Sequence, residues 1–359
     1  MPNGTWLPPR PALHRGNDRL DNKGGQMIID IHAHFTAPAE LWAYKSNLLA
    51  SRGHSGGRLK LSDDKIVDAL NKPVHGGNSH LQQLKEVGID KQIISPRPYQ
   101  LMHSEKPESI VRKFTEACND LTAKQCKLFP DTFIGMACLP QNMGVSPKNC
   151  VEELERCVKD LGMVGCLLNP DPNEGMGPPP PGLGDEYWYP LYEKMVQLDV
   201  PALIHSAGCR EGRESYSLHF ILEESIAIMS LLSSKVFKTF PNLKVVISHG
   251  GGAIPYQIGR FRAGSVKGDS PLFEDRLRQL YFDTALYTQD ALETLFKWAT
   301  PPRCMFGTER PGSGTAKDPK TGKWIDDTQP LIEAISWLTA EDKAGIFGGT
   351  ARKVFNLKN

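Results

Sequence analysis

The chain has 359 residues and a net charge of +1, from 42 basic and 41 acidic side chains. That balance offers no basic surface for nucleic acid or an anionic membrane, and no apolar run is long enough to span a bilayer. The length exceeds the usual single-domain size but suits an α/β barrel, in which roughly 200 to over 400 residues form one unit.

Residues 1–26 are rich in Pro, Gly, Asn and Arg and hold no apolar stretch, so they lack the core of a secretory signal. They are expected to form a disordered N-terminal extension, with residues 27–359 as the folded unit. From there, eight short β-like runs follow: 27–31, 91–95, 133–138, 163–168, 201–205, 243–248, 279–283 and 303–306. Helical patterns alternate with them. Pro107 opens one, with Ile110, Phe114, Ala117 and Leu121 on one face. Ser146-Pro147 reads as an N-cap with proline in the first turn, followed by Val151, Leu154, Val158 and Leu161 and ended by Gly162. Residues 187–199, 217–238, 289–298 and 328–337 also read as helices. Strand–helix alternation predicts parallel pairing, and eight strands predict closure into a (β/α)8 TIM-like barrel.

Three long connections follow strands: 34–62, 169–186 and 307–327. All three are expected on the catalytic face, the first as a mobile or substrate-covering loop with Gly53, Gly56 and Gly57. The eight cysteines show no C-x-x-C spacing and are expected to be reduced thiols of a cytoplasmic protein.

The candidate chemistry sits at strand ends. His32 and His34 follow the apolar run Met27-Ile28-Ile29 and are two residues apart, so a strand directs both to one side. Alone, such a pair fits two histidines packed inside a barrel equally well. His205 closes 200–205, His249 closes 243–249 before three glycines, and Glu309 lies just past 303–308. A parallel barrel builds its site from the carboxyl ends of its strands. Three imidazoles and a carboxylate suit Zn²⁺, with Mn²⁺ as the main rival. The expected ligands are His32, His34 and His205, and Glu309 either completes the shell or takes a proton from bound water. His249 is a fourth nitrogen ligand, a supporting hydrogen-bond donor or, the favoured reading, a general acid/base.

Arg97 and Arg310 are candidates for binding substrate carboxylates, since arginine pairs them in a bidentate fork; the plainer alternative is a surface ion pair. Asn169 either hydrogen-bonds substrate or shapes a turn. Asp283 is a candidate outer partner that orients a ligand, and Tyr216 and Tyr287 are weaker candidates. His54, His75, His80, His103 and His219 lack a strand-end setting and read as structural or solvated.

These residues resemble the amidohydrolase superfamily from about residue 27 to 357, in the branch that holds the resorcylate and aminocarboxymuconate-semialdehyde decarboxylases. Asn169-Pro-Asp-Pro172, Pro201-Ala-Leu-Ile-His205, His249-Gly-Gly-Gly-Ala-Ile-Pro-Tyr256 and Phe306-Gly-Thr-Glu309 carry the likeness. Glu309, where most of the superfamily has Asp, resembles the zinc-dependent 4-oxalomesaconate hydratases of that branch. The resemblance implies zinc on His32, His34, His205 and Glu309 and an acid/base role for His249. It also implies a hydratase acting on a small polycarboxylate, and a homo-oligomer, with a nonoxidative decarboxylase as the alternative. One departure is Gly349-Thr350, where the hydratase pattern has Gly-Asn.

Overall fold

In a computed structural model of the protein, residues 27–54, 57–75, 77–268 and 271–358 are described; the expected N-terminal extension lies outside them. The strands are β1 Ile29–His34, β2 Lys91–Ser95, β3 Phe133–Gly135, β4 Cys166–Leu168, β5 Ala202–Ile204, β6 Val245–Ile247, β7 Tyr281–Asp283 and β8 Cys304–Met305. Every pairing between neighbours is parallel, in two runs, β1-β2-β3 and β4 to β8. Backbone hydrogen bonds join the runs at both seams. Ala137 N donates to Gly165 O at 2.9 Å and Leu167 N to Ala137 O at 2.7 Å. At the other seam Ile31 N donates to Phe306 O at 2.9 Å and Glu309 N to His32 O at 2.7 Å. The sheet is therefore closed, as the alternating sequence pattern predicts.

Strand alternation sorts the apolar residues into two layers. Ile29, Ile31, Ile93, Met136, Leu167, Leu203, Val246 and Met305 form an inner cluster, stoppered by Ala351, Val354 and Phe355 near the C-terminus. Ala33, Ile94, Ala202, Ile204, Ile247 and Phe282 face outward into the larger core under the helices. β1 breaks the alternation. Its register with β2 shifts between Asp30 and Ala33. Ile29 and Ile31 join the inner layer below the shift, and above it Ala33 packs outward while His32 and His34 face the interior. A bulge of this kind re-aims side chains; here one strand supplies both the barrel floor and two imidazoles.

The helices around the strands include α1 Ala39–Ala50, α2 Asp63–Asn71, α3 His80–Val87, α4 Glu108–Leu128, α5 Val151–Lys159, α6 Tyr189–Leu198 and α7 Tyr216–Leu232. Helix α1 corrects the reading of 34–62 as a loop. It buries only Leu41 and Leu48, a spacing too sparse to show a helical face. The predicted helix 217–238 is two elements, α7 and Val236–Thr239, because the turn at Ser233 and Ser234 interrupts it. No disulfide joins the cysteines, and no helix among the described residues is long and apolar enough to cross a membrane.

Replacing Ile93, fully buried in the inner layer, by Ala is expected to cost about 2–5 kcal/mol through lost burial and a residual cavity. Chemical denaturation reads this as a lower midpoint at constant slope. An unchanged midpoint would remove the inner layer from the list of stabilising contacts.

Candidate metal centre

Above the apolar floor, side chains from β1 and from just beyond β5, β6 and β8 converge. Ligand atoms of His32, His205, His249 and Glu309 all lie within 4.8 Å of one another, and all four residues are buried. His34 reaches the same carboxylate: Glu309 Oε1 is 3.8 Å from His34 Nε2, 3.7 Å from His205 Nε2 and 3.8 Å from His249 Nε2. His32 packs edge-on against the rings of His34, His205 and His249 at 4.9–5.5 Å.

Each ring is anchored through Nδ1. His32 donates to Asp283 Oδ2 at 2.5 Å, and His205 to the Ser206 carbonyl at 2.7 Å. His34 Nδ1 is 3.2 Å from Ser95 Oγ, and His249 Nδ1 lies 2.9 and 3.0 Å from the two oxygens of Glu224. The Nε2 atoms of His32 and His205 are buried with no hydrogen-bond partner. Buried polar nitrogens without partners are costly. Imidazoles tied at one nitrogen and free at the other are the usual disposition around a metal. The donor set of imidazoles and one carboxylate fits a divalent ion of the Zn²⁺ or Mn²⁺ kind.

Two of the converging residues sit in left-handed backbone. His249 has φ +48° and Glu309 φ +60°, a conformation that costs a non-glycine residue of order 1–3 kcal/mol and concentrates at functional sites. Surrounding contacts hold both in place. Gly250, Gly251 and Gly252 continue the left-handed turn at φ +61°, +86° and +61°. A Cβ on Gly250 would lie 2.4 Å from Leu286 Cδ1, so the glycines pack the turn against the protein. Gly250 N also donates to Asp283 Oδ1 at 3.0 Å. One buried carboxylate thus fixes both the His32 ring and the His249 turn. Ser313 Oγ donates to Glu309 Oε2 at 2.6 Å, leaving Oε1 for the centre.

The charges differ from ring to ring. Burial holds His205 below its ordinary pKa and His34 well below it, so both are neutral, as ligands must be. Burial also opposes a charge on His249, but the Glu224 carboxylate beneath it and Glu309 across the centre outweigh that and hold it well above its ordinary value. Burial pushes Glu309 up, yet the surrounding His205, His249 and His34 rings outweigh it and hold the carboxyl well below its usual range. Without a bound ion, the surroundings therefore favour the charged forms of both Glu309 and His249.

An aromatic wall closes one side. Phe220 stacks on His249 with ring centroids 5.8 Å apart and planes 3° from parallel, and meets His205 edge-on at 5.3 Å. Tyr216 packs on Phe220 at 4.6 Å and Tyr99 on Tyr216 at 5.6 Å.

The structure brings together His32, His34, His205, His249, Glu309 and Asp283, all expected at the site. Arg97 is half-buried at the end of β2; its Nη2 donates to the Pro311 carbonyl, and its charge acts on His34 and Tyr216. Arg310 and Asn169 are both engaged within the protein. Arg310 is fully buried, pairs with Asp326 and lies 4.7 Å over the Trp324 ring, so it braces the loop after β8. Asn169 closes its own turn: its side chain accepts from Asp171 N at 3.1 Å and donates to Asp171 O at 2.9 Å, with His103 Nδ1 at 3.0 Å. Sequence reasoning missed Glu224. Its signal was a charge at i+4 on the apolar stripe Phe220, Ala227, Ile228 and Leu231 of α7, where a buried acid needs a partner.

The amidohydrolase family model matches residues 29–357. The chain belongs to the amidohydrolase family. Among its relatives, the 2-keto-4-carboxy-3-hexenedioate hydratase of Sphingobium sp. is 36% identical over 335 residues, 92% of this chain and 96% of that one. The crystal structure of 4-oxalomesaconate hydratase from Rhodopseudomonas palustris is 39% identical with a TM-score of 0.81, covering 92% and 96% of the two chains. The 2-amino-3-carboxymuconate-6-semialdehyde decarboxylase of Dictyostelium discoideum is more distant, 24% identical over 92% of this amidohydrolase and 91% of its own length.

Glu224→Gln is expected to lower the His249 pKa, because removing the anion beneath the ring removes what favours its charge. In metal-free protein, the His249 ring signals in an NMR titration should then change at lower pH than in wild type. A titration at unchanged pH would remove Glu224 as the source of that charge.

Proposed function

We propose that this amidohydrolase is a metal-dependent hydro-lyase that adds water across the carbon–carbon double bond of 4-oxalomesaconate, or of a close unsaturated oxo-tricarboxylate, in aromatic-acid breakdown. The observation that carries the reading is the convergence of Glu309 Oε1 and His249 Nε2, 3.8 Å apart, among the buried imidazoles of His32 and His205. Hydration needs both: a base to take a proton from water and an acid to give one to carbon. The likeness to two hydratases, each matched over more than nine-tenths of both chains, supports the same reaction.

His32, His34, His205 and Glu309 would hold the ion, with Zn²⁺ the preferred occupant and Mn²⁺ the alternative. When bound, the ion supplies a Lewis acid that polarises substrate oxygens and makes water more acidic. Glu309 either completes that shell or, standing off it, would accept the water proton through Oε1 as oxygen bonds to one alkene carbon. His249 Nε2 would give its proton to the other. Glu224 keeps that proton on the ring, and the Phe220 and Tyr216 wall keeps bulk water from the acid. Arg97, at the same end of the barrel, offers a guanidinium for a substrate carboxylate. Eight thiols without a disulfide suit a reducing cytoplasm.

Proton NMR of 4-oxalomesaconate with zinc-loaded protein in D₂O should show loss of the vinyl signal with all carboxylates retained. His249→Asn should slow this by a factor on the order of 10²–10⁴. An unchanged spectrum with wild type would withdraw the hydratase reading, and release of CO₂ from a muconate or dihydroxybenzoate acid would replace it with a decarboxylase. Wild-type turnover in the variant would take the acid role from His249.

A further inference from the structure

The loop that joins His205 to α7 carries a second group of metal-ligating side chains that the reaction does not use. Donor atoms of Cys209, Glu214 and His219 lie within 4.8 Å of one another. His219 Nδ1 is 2.6 Å from Glu214 Oε2. The His219 ring is 2% exposed, yet its Nε2 is buried without a hydrogen-bond partner. All three residues line a cavity of about 220 Å³ whose wall also holds Asp171, Glu211 and Glu223. That volume takes an ion and several waters at roughly 30 Å³ each.

Among the described residues, no lysine or arginine lines this cavity against its four carboxylates. Arg210, in the same loop, is turned to Glu105 at 2.6 Å. Asp171 is engaged by the backbone of Asn173 at 2.9 Å and Gly175 at 2.7 Å; on Glu223 only the nearby His219 ring acts in that sense among the causes of its shift. Burial first, and then the Asp171 carboxylate, push the Glu223 carboxyl up to about 7. Among the described residues of the cavity wall, the His219 ring is thus the group that offsets these carboxylates, with the Cys209 thiol beside it.

Helix α7 separates this cavity from the barrel centre. Tyr216, Phe220 and Glu224 recur every four residues and form the stripe toward His205 and His249. His219 and Glu223, also one turn apart, form the adjacent stripe on the cavity.

We propose that Cys209, Glu214 and His219 form a second divalent-cation site, distinct from the barrel centre and selective for a borderline-soft ion of the zinc class. Thiolate, imidazole and carboxylate together are the donors such an ion takes, and hard ions such as Mg²⁺ and Ca²⁺ avoid the sulfur. On binding, the Cys209 S–H bond breaks, sulfur bonds to the ion and the proton leaves to solvent. The ion ties the loop after His205 to the first turn of α7, whose later turns carry Phe220 and Glu224. Its role is to hold that helix in register with the centre, and it is independent of which reaction the centre performs.

The sulfur makes the two sites separable, because the barrel centre contains no cysteine. Full-length protein loaded with Co²⁺ is expected to show a sulfur-to-cobalt charge-transfer band in the near ultraviolet. The band should persist in His32→Ala, which damages the centre alone, and in Cys126→Ser, which removes another half-buried thiol. It should vanish in Cys209→Ser, a conservative change at a partly exposed position. Elemental analysis after loading with Zn²⁺ should give two ions per chain in wild type and one in Cys209→Ser and His219→Ala. One ion per chain in wild type, a band that survives Cys209→Ser, or no band at all would each overturn the second site.

Discussion

Four imidazoles at the top of the barrel are tied at Nδ1 to four different partners: Asp283, Ser95, the Ser206 carbonyl and Glu224. This leaves Nε2 one direction to face, and everything else at the centre follows from it. A ring with one nitrogen fixed cannot turn away without breaking a buried hydrogen bond, which costs the desolvation of both groups. The convergence on Glu309 Oε1 is therefore built into the barrel before any ion arrives. Such pre-organisation lets an ion bind without first ordering its ligands.

The anchors of three of these rings also set their charges apart. A carbonyl or a hydroxyl under His205 and His34 does little to offset burial, so those rings stay neutral. A carboxylate under His249 reverses the sign of the effect, and the proton stays on. Identical side chains a few ångströms apart thereby acquire different chemistry from what lies behind them. Environment splits acid from base at one site in this way.

The sequence made the ligand-bearing strand ends legible because strand periodicity and position after an apolar run are local properties. His32, His34, His205, His249 and Glu309 all lie within or a few residues beyond such runs. Less local features escaped it. The β1 bulge, which lets Ile31 fill the floor while His32 faces the centre, depends on pairing with β2, sixty residues away. Helix α1 lacked an apolar face to announce it. Glu224 showed only as a charge on an apolar stripe, and its partner lay twenty-five residues further along the chain. Arg310 shows the opposite case. Its neighbour Glu309 is at the centre, but adjacent residues in irregular chain need not face the same way, and Asp326 draws its guanidinium elsewhere.

That buried Arg310–Asp326 pair bears on the centre in a way its distance conceals. Asp326 also accepts from Thr315 Oγ1 at 2.6 Å, and Thr315 Oγ1 accepts in turn from Gly312 N at 2.8 Å. Gly312 sits against Glu309 so closely that a Cβ there would lie 2.0 Å from the Glu309 carbonyl oxygen. The chain of contacts runs from the ion pair to the strained turn that aims the carboxylate. Removing one partner of a buried pair leaves an uncompensated charge, a penalty of about 3–5 kcal/mol. The loop after β8 therefore holds Glu309 in its turn through a charge that does not touch the centre.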